Sequence, residues 1–168
     1  MPEFLPQYRI LDTVVEDLTD RQLKWLKHMV GEAIKEYDEL QGATITVGQM
    51  PDSDFAYARA FVTNRIIMLP TDHRPDWDVV FHEIAHVAIE ILSELGEDVP
   101  TSSEEYCSIY ATTKIDPEQI ERDEVMYLGE PTVPKEEWPE ICERALEYRE
   151  NNHDYIQQCK RWLGIIDS

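Results

Sequence analysis

The sequence predicts an α+β fold in which a helix comes first, a small sheet follows and further helices complete the chain. Apolar residues from Leu23 to Tyr37 recur with the 3.6-residue period of an amphipathic helix. Residues 43–69 are rich in β-branched and aromatic side chains and are interrupted by turn residues, which is typical of short strands. From Trp77 onward the apolar spacing is helical again, and Gly and Pro separate the segments.

The first helix is expected to begin at Thr19 and Asp20, which can cap its amino end, and to reach about Leu40. Residues 9–11 and 13–15, which precede it, are candidates for short strands.

Three more strands are predicted after this helix, at residues 43–47, 55–62 and 65–69. The connections between them are too short to contain helical crossovers, which parallel neighbours usually need. We therefore expect a small sheet whose strands pair mostly antiparallel.

The helices expected after the sheet lie at about residues 77–95, 101–114, 116–128 and 136–163. Asp76 is a candidate N-cap for the first of them, and Gly96 follows its end. The last one is expected to pack on the rest of the chain. With 168 residues, 42% of them hydrophobic, the chain is long enough to bury one core, so residues 1–168 are predicted to form a single domain.

The charge of the chain limits the partners that it can have. The 35 acidic residues outnumber the 15 basic ones, which gives a formal net charge of −20. Such a surface keeps a protein soluble and repels nucleic-acid phosphates, so direct binding of DNA or RNA is not expected. It would attract a basic protein or peptide.

Neither a secretory signal nor a membrane span is predicted. The first residues lack a basic region followed by an apolar stretch, and no apolar run is long enough to cross a bilayer. The cysteines are odd in number and form no C-x-x-C pair, so we expect reduced core thiols and a cytoplasmic protein. These cysteines are Cys107, Cys142 and Cys159.

The pentapeptide His82-Glu83-Ile84-Ala85-His86 carries the chemistry of the chain. Residues four apart lie on one face of a helix, so the two imidazoles can bind one metal ion, and Glu83 can reach a water at that ion. Apolar residues surround the motif, which predicts a buried helix. Because burying two His and a Glu is costly unless they are paired or bind a metal, the motif predicts a metal site. The alternative is a pair of hydrogen-bonded core histidines.

The H-E-x-x-H motif resembles the signature of the zincins, a clan of zinc metallopeptidases. The resemblance implies Zn²⁺ as the cofactor and a compact zincin-like fold. The step Tyr110-Ala111 is also similar to the ImmA/IrrE-like metallopeptidases, a group associated with bacterial regulators and mobile elements. Small acidic chains of this kind resemble those of phages, which would place the protein in a host cytoplasm.

The third metal ligand is expected to be Glu104. In the gluzincin branch of the zincins this ligand is a Glu on a following helix, with small residues three, four and seven positions later. Cys107, Ser108 and Ala111 follow Glu104 at those offsets, on the same helical face. The alternatives that fit less well are Glu105 and Glu90, the latter on the zinc helix itself.

The resemblance to the gluzincins is incomplete. Their pattern usually has an Asp four positions after the third ligand, where it orients a metal-binding His, and here Ser108 occupies that position. Asp78 and Asp116 are candidates for orienting the imidazoles instead. No residue can be assigned from the sequence as the one that stabilises the oxyanion. The candidates are His73, Tyr106, Tyr127 and His153.

The resemblance implies a zinc-dependent metallopeptidase that hydrolyses a peptide bond in a protein substrate, with Glu83 as the general base. His82, His86 and Glu104 would bind the metal. The acidic surface would favour basic peptide segments. The alternative function is a non-catalytic, acidic binding or inhibitor module on the same scaffold, which could mimic DNA toward a basic protein.

Overall fold

The computed structural model describes residues 7–50, 59–71 and 73–167, and the α+β prediction is confirmed within them. The described chain begins with the strand β1 (Gln7–Ile10) and the helices α1 (Asp12–Asp17) and α2 (Asp20–Ile34). The strands that follow are β2 (Thr44–Gln49), β3 (Arg59–Phe61) and β4 (Ile66–Leu69). The helices after the sheet are α3 (Trp77–Glu94), α4 (Glu104–Lys114), α5 (Trp138–Arg149) and α6 (Tyr155–Leu163).

Helix α2 begins where the sequence predicted and ends earlier. Thr19 Oγ1 accepts a hydrogen bond from the Gln22 backbone, and the Gln22 side chain accepts one from the Thr19 backbone, so the predicted cap is confirmed as a capping box. The helix stops at Ile34 because Tyr37 adopts an extended backbone and buries its ring in the core. Only a 3₁₀ turn, Asp38–Leu40, follows it in this described segment.

The described strands form one sheet in the order β1-β2-β4-β3, and the prediction of mostly antiparallel pairing is wrong. The pairs β1–β2 and β2–β4 are parallel, and β3–β4 is antiparallel. Helices α1 and α2 form the crossover from β1 to β2. Between β2 and β4 the chain passes through the edge strand β3 and then turns back, so β4 lies beside β2. The connection between two parallel neighbours can therefore include another strand of the sheet instead of a helix, which the prediction did not consider.

The structure contradicts one strand prediction and describes only part of another. Residues 13–15 lie in α1, where Val14 is buried between exposed neighbours. One buried residue between two exposed ones fits a strand as well as a short helix, so the pattern could not decide. Of the strand predicted at residues 55–62, residues 55–58 lie outside the described residues, and the described part includes β3.

Helix α3 is the centre of the core. It spans the predicted residues to within one position, and Gly96, with a φ of 94°, follows its end. Ten of the eleven residues from Val79 to Ile89 are buried, so the helix is enclosed on nearly every side. Tyr37 follows the end of α2, and its hydroxyl donates a hydrogen bond of 2.7 Å to the backbone oxygen of Phe81.

Helix α4 packs along α3 through a face of small residues. Ser103 caps its start, since the Ser103 hydroxyl accepts a hydrogen bond of 3.0 Å from the Tyr106 backbone. Cys107, Ser108 and Ala111 are buried on α4. Their small side chains let the two helices approach closely.

The helix predicted at residues 116–128 is wrong. Only the 3₁₀ turn Pro117–Gln119 forms there, with Asp116 as its cap, and the rest of this described segment is a loop. The buried residues Ile120, Val125 and Leu128 belong to the hydrophobic core. Side chains of this loop contact the start of α3.

The single C-terminal helix predicted at residues 136–163 is two helices, α5 and α6. The break falls at residues 150–154, where Asn and Asp are poor helix formers. The side-chain amide of Asn152 donates a hydrogen bond of 3.1 Å to the backbone oxygen of Tyr148, which satisfies a carbonyl at the end of α5.

One continuous hydrophobic core runs from Val14 in α1 to Leu163 in α6. All three cysteines are buried and unbridged, which confirms the prediction of free core thiols. Among the described residues, no helix has the length and apolar character that crossing a membrane requires.

Tyr37→Phe is expected to lower the free energy of unfolding by about 1–2 kcal/mol, because it removes the buried hydroxyl that bonds to Phe81 and keeps the ring. Urea denaturation followed by circular dichroism measures the change. Tyr148→Phe is the matched control, since its hydroxyl makes an exposed contact of 3.4 Å with Asp154, and it should change stability by less than about 0.5 kcal/mol. Equal losses of stability in Tyr37→Phe and Tyr148→Phe would contradict a stabilising role for the hydrogen bond of the Tyr37 hydroxyl.

Candidate metal centre

Two imidazoles and one carboxylate meet between α3 and α4. His82 and His86 lie one turn apart on α3, and Glu104 is the first residue of α4. Nε2 of His82 is 2.8 Å from Oε2 of Glu104, and Nε2 of His86 is 3.2 Å from the same oxygen. The two Nε2 atoms are 3.2 Å apart. The fold thus brings together the three side chains that the sequence predicted as metal ligands.

The donor set of this group fits a metal ion such as zinc. Three atoms that each lie about 2.0–2.1 Å from a tetrahedral ion stand about 3.3 Å apart, close to the separations in the structure. Three electron-rich atoms at this distance repel one another unless a proton or a cation lies among them. Of the three carboxylates considered as third ligand, Glu104 belongs to the group, while Glu105 and Glu90 do not within the described chain.

Each imidazole has a small polar partner on α4. Nδ1 of His82 is 3.1 Å from Oγ of Ser108, and Nδ1 of His86 is 3.2 Å from Sγ of Cys107. When Nε2 binds a metal, Nδ1 carries the proton and donates it to such a partner, which sets the orientation of the ring. Ser108 therefore occupies the position of the Asp in the gluzincin pattern and contacts the imidazole through a neutral hydroxyl.

The carboxylates that were predicted to orient the imidazoles have other partners, so that prediction is wrong. Oδ2 of Asp78 accepts a hydrogen bond of 3.0 Å from the Glu121 backbone, and Oδ1 of Asp116 accepts one of 2.9 Å from the Glu118 backbone. Asp78 lines a pocket beside His82 without bonding to its ring. Burial raises the pKa of Asp78 above its ordinary value.

The charges of the group are arranged for cation binding. The hydrogen bond from His82 lowers the pKa of Glu104 to about 2, so this carboxylate is ionised at neutral pH. Burial lowers the pKa of His86, which favours the neutral, metal-binding form of its ring. The Glu104 side chain is 41% exposed and that of His82 is 2% exposed. The carboxylate therefore lies at the solvent side of the group and His82 at its inner side.

Glu83 is a buried carboxyl next to this group. It is 7% exposed. Burial raises its pKa to about 7, while His82 opposes the increase and Glu104 adds to it. No hydrogen bond from a described residue stabilises its charge. A carboxyl with a pKa near neutrality can both accept and release a proton at neutral pH.

Of the four oxyanion candidates, Tyr127 lies at the group. Its ring stacks on that of His82, with the centroids 5.3 Å apart and 25° between the planes, and its hydroxyl interacts with Glu104. The structure places the other candidates in two separate clefts, Tyr106 and His153 beside Arg149, and His73 beside Arg74 and Arg122.

The loop that carries Tyr127 is attached to the start of α3. Oε2 of Glu121 accepts a hydrogen bond of 2.7 Å from the Trp77 backbone. Asp76 holds the N-cap position, as predicted, but its side chain does not cap the helix and instead accepts a hydrogen bond of 2.7 Å from Nε of Arg122. These contacts fix the loop against the helix that carries both histidines.

The sequence did not assign the roles of Cys107, Ser108 and Tyr127. A signal for the first two was present, because polar side chains three and four positions after Glu104 must face the same neighbour as Glu104 itself. Tyr127 has no comparable signal, since its place depends on the path of a loop.

Comparisons with protein-family models, with curated proteins and with solved structures give no match for this chain. The resemblance to the zincins therefore depends on the residues of the group and their spacing, and it stays a prediction.

We expect the purified chain to bind about one Zn²⁺, and His86→Ala or Glu104→Ala to weaken binding by at least about 100-fold, because each removes a ligand. Isothermal titration calorimetry of metal-free protein measures the affinity. Glu105→Ala and Glu90→Ala are the controls and should bind like the wild type. Loss of binding in Glu105→Ala but not in Glu104→Ala would show that the third ligand is assigned wrongly.

Proposed function

We propose that the chain is a zinc-dependent metallopeptidase that hydrolyses a peptide bond in a protein substrate. The observation that supports this most is Glu83, a buried carboxyl beside three metal-ligand candidates that no described residue stabilises by a hydrogen bond. Structural zinc sites usually have four protein ligands and need no such group, whereas catalytic sites have three and an open position. The described ligand set here has three members, His82, His86 and Glu104.

The residues of the chain divide the chemistry between them. When bound, zinc would supply Lewis-acid polarisation of water and of the scissile carbonyl. Glu83 takes a proton from the attacking water and passes it to the leaving amine. Both steps use the same carboxyl, which first accepts the proton and then releases it.

Glu83→Gln is expected to keep zinc binding and to lower the cleavage rate by about 10²–10⁴-fold, because the amide cannot act as a general base. The zinc-loaded protein would be incubated with a defined peptide library, and the products would be identified by mass spectrometry. Glu90→Gln, the same substitution further along α3, is the matched control and should cleave like the wild type.

The two functions predicted from the sequence give different results in this experiment. Cleavage by Glu83→Gln at the wild-type rate would contradict the proposed mechanism. Zinc binding by a wild type that cleaves no peptide in the library would favour the acidic binding module instead.

The substrate segment that we propose is basic, because the chain has a net charge of −20. For a basic peptide, kcat/KM should fall when the salt concentration rises from about 10 mM to about 150 mM, since the Debye length shortens from about 30 Å to about 8 Å. A peptide with the same cleavage site and neutral flanks is the control and should show no such fall. The same salt dependence for both peptides would argue against a basic substrate.

A further inference from the structure

Tyr127 has a backbone conformation that bulky residues avoid. Its φ is 69°, in the left-handed region. The turn around it is closed by two backbone hydrogen bonds between Val125 and Gly129, of 2.9 and 3.0 Å. A Cβ on Gly129 would lie 2.8 Å from Cγ2 of Ile165, so the turn is also packed tightly against the end of the chain. The surrounding structure therefore holds Tyr127 in its strained conformation.

Packing of the ring does not offset this strain. Tyr127 is 59% exposed, so it removes little apolar surface from water compared with a core tyrosine. A strained residue that is not buried is typical of a functional site, where the surrounding structure maintains a conformation for its use.

The exposed ring reaches two of the candidate metal ligands. One face stacks on the imidazole of His82. The hydroxyl interacts with the carboxylate of Glu104. Tyr127 therefore interacts with the most buried and with the most exposed ligand of the group.

We propose that Tyr127 is a positioning residue of the metal centre, which holds His82 through its ring and Glu104 through its hydroxyl. This inference rests on the metal binding in the proposed function. Ser108 and Cys107 already orient the two imidazoles from α4. Glu104 is the most exposed of the three ligands, and the proposed role of Tyr127 gives it a neutral partner on the loop.

The experiment compares two substitutions of Tyr127. Tyr127→Phe keeps the stacked ring and removes the hydroxyl. Tyr127→Gly removes the ring and leaves the turn intact, because glycine adopts a φ of 69° without strain. Tyr148→Phe is the matched control, since it removes a hydroxyl that contacts a different carboxylate, that of Asp154. For each protein, the Zn²⁺ affinity is measured by competition with a chromophoric chelator, and the Tm is measured without metal.

The affinity for zinc should fall by about 10-fold in Tyr127→Phe and by about 10–100-fold in Tyr127→Gly, the range for partners of metal ligands. Tyr148→Phe should bind like the wild type. The Tm of metal-free Tyr127→Gly should equal or exceed that of the wild type, because the strain is removed. A purely structural role for Tyr127 would lower the Tm and leave the affinity unchanged.

Two outcomes separate this inference from the proposed function. If the wild type binds zinc and both Tyr127 variants bind it equally well, the role of Tyr127 is overturned and the peptidase proposal stands. If the wild type binds no zinc, both are overturned.

Discussion

The close packing of α3 against α4 is the contact on which the rest of this molecule depends. It encloses two imidazoles that would otherwise be unpaired inside an apolar helix, and it supplies a partner for each of their nitrogen atoms. Larger residues than Cys107 and Ser108 would separate the helices, and the contacts of both rings would be lost together. Cys107 and Ser108 therefore have two roles: they are small enough for the helices to pack closely, and their polar atoms are the partners of the imidazole nitrogen atoms.

The site concentrates features that lower stability. Glu83 is a buried carboxyl whose pKa is raised, and Tyr127 has a strained backbone. Helix α3 compensates for them, because nine of its 18 side chains are apolar and buried. Sites that carry out chemistry often depart from local rules in this way, while the surrounding core follows them.

Features that depend on residues close together in the chain could be predicted from the sequence, and features that depend on distant residues could not. His82 and His86 are one turn apart, so helical periodicity placed them on one face, and the resemblance to the gluzincins indicated Glu104 in the next helix. The partners of β2 were predicted wrongly because strand pairing joins residues far apart, and the path through β3 left no local signal.

The loop before α5 shows the same limit. It has the composition of an acidic helix, but Glu121 and Arg122 make contacts with the start of α3 that no pattern within the loop reveals. The position of Tyr127 depends on those contacts and on one backbone dihedral angle, and neither can be read from residue types.

The order of the site residues along the chain has a consequence for how the protein assembles. All three candidate ligands lie within residues 82–104, and only the short connection between α3 and α4 has to close for them to meet. Contacts of such low sequence separation form early in folding, even while a chain is still being synthesised. Tyr127 lies further toward the C-terminus and leaves the ribosome later. The three candidate ligands can thus meet in a helical hairpin before the tyrosine reaches its place beside them.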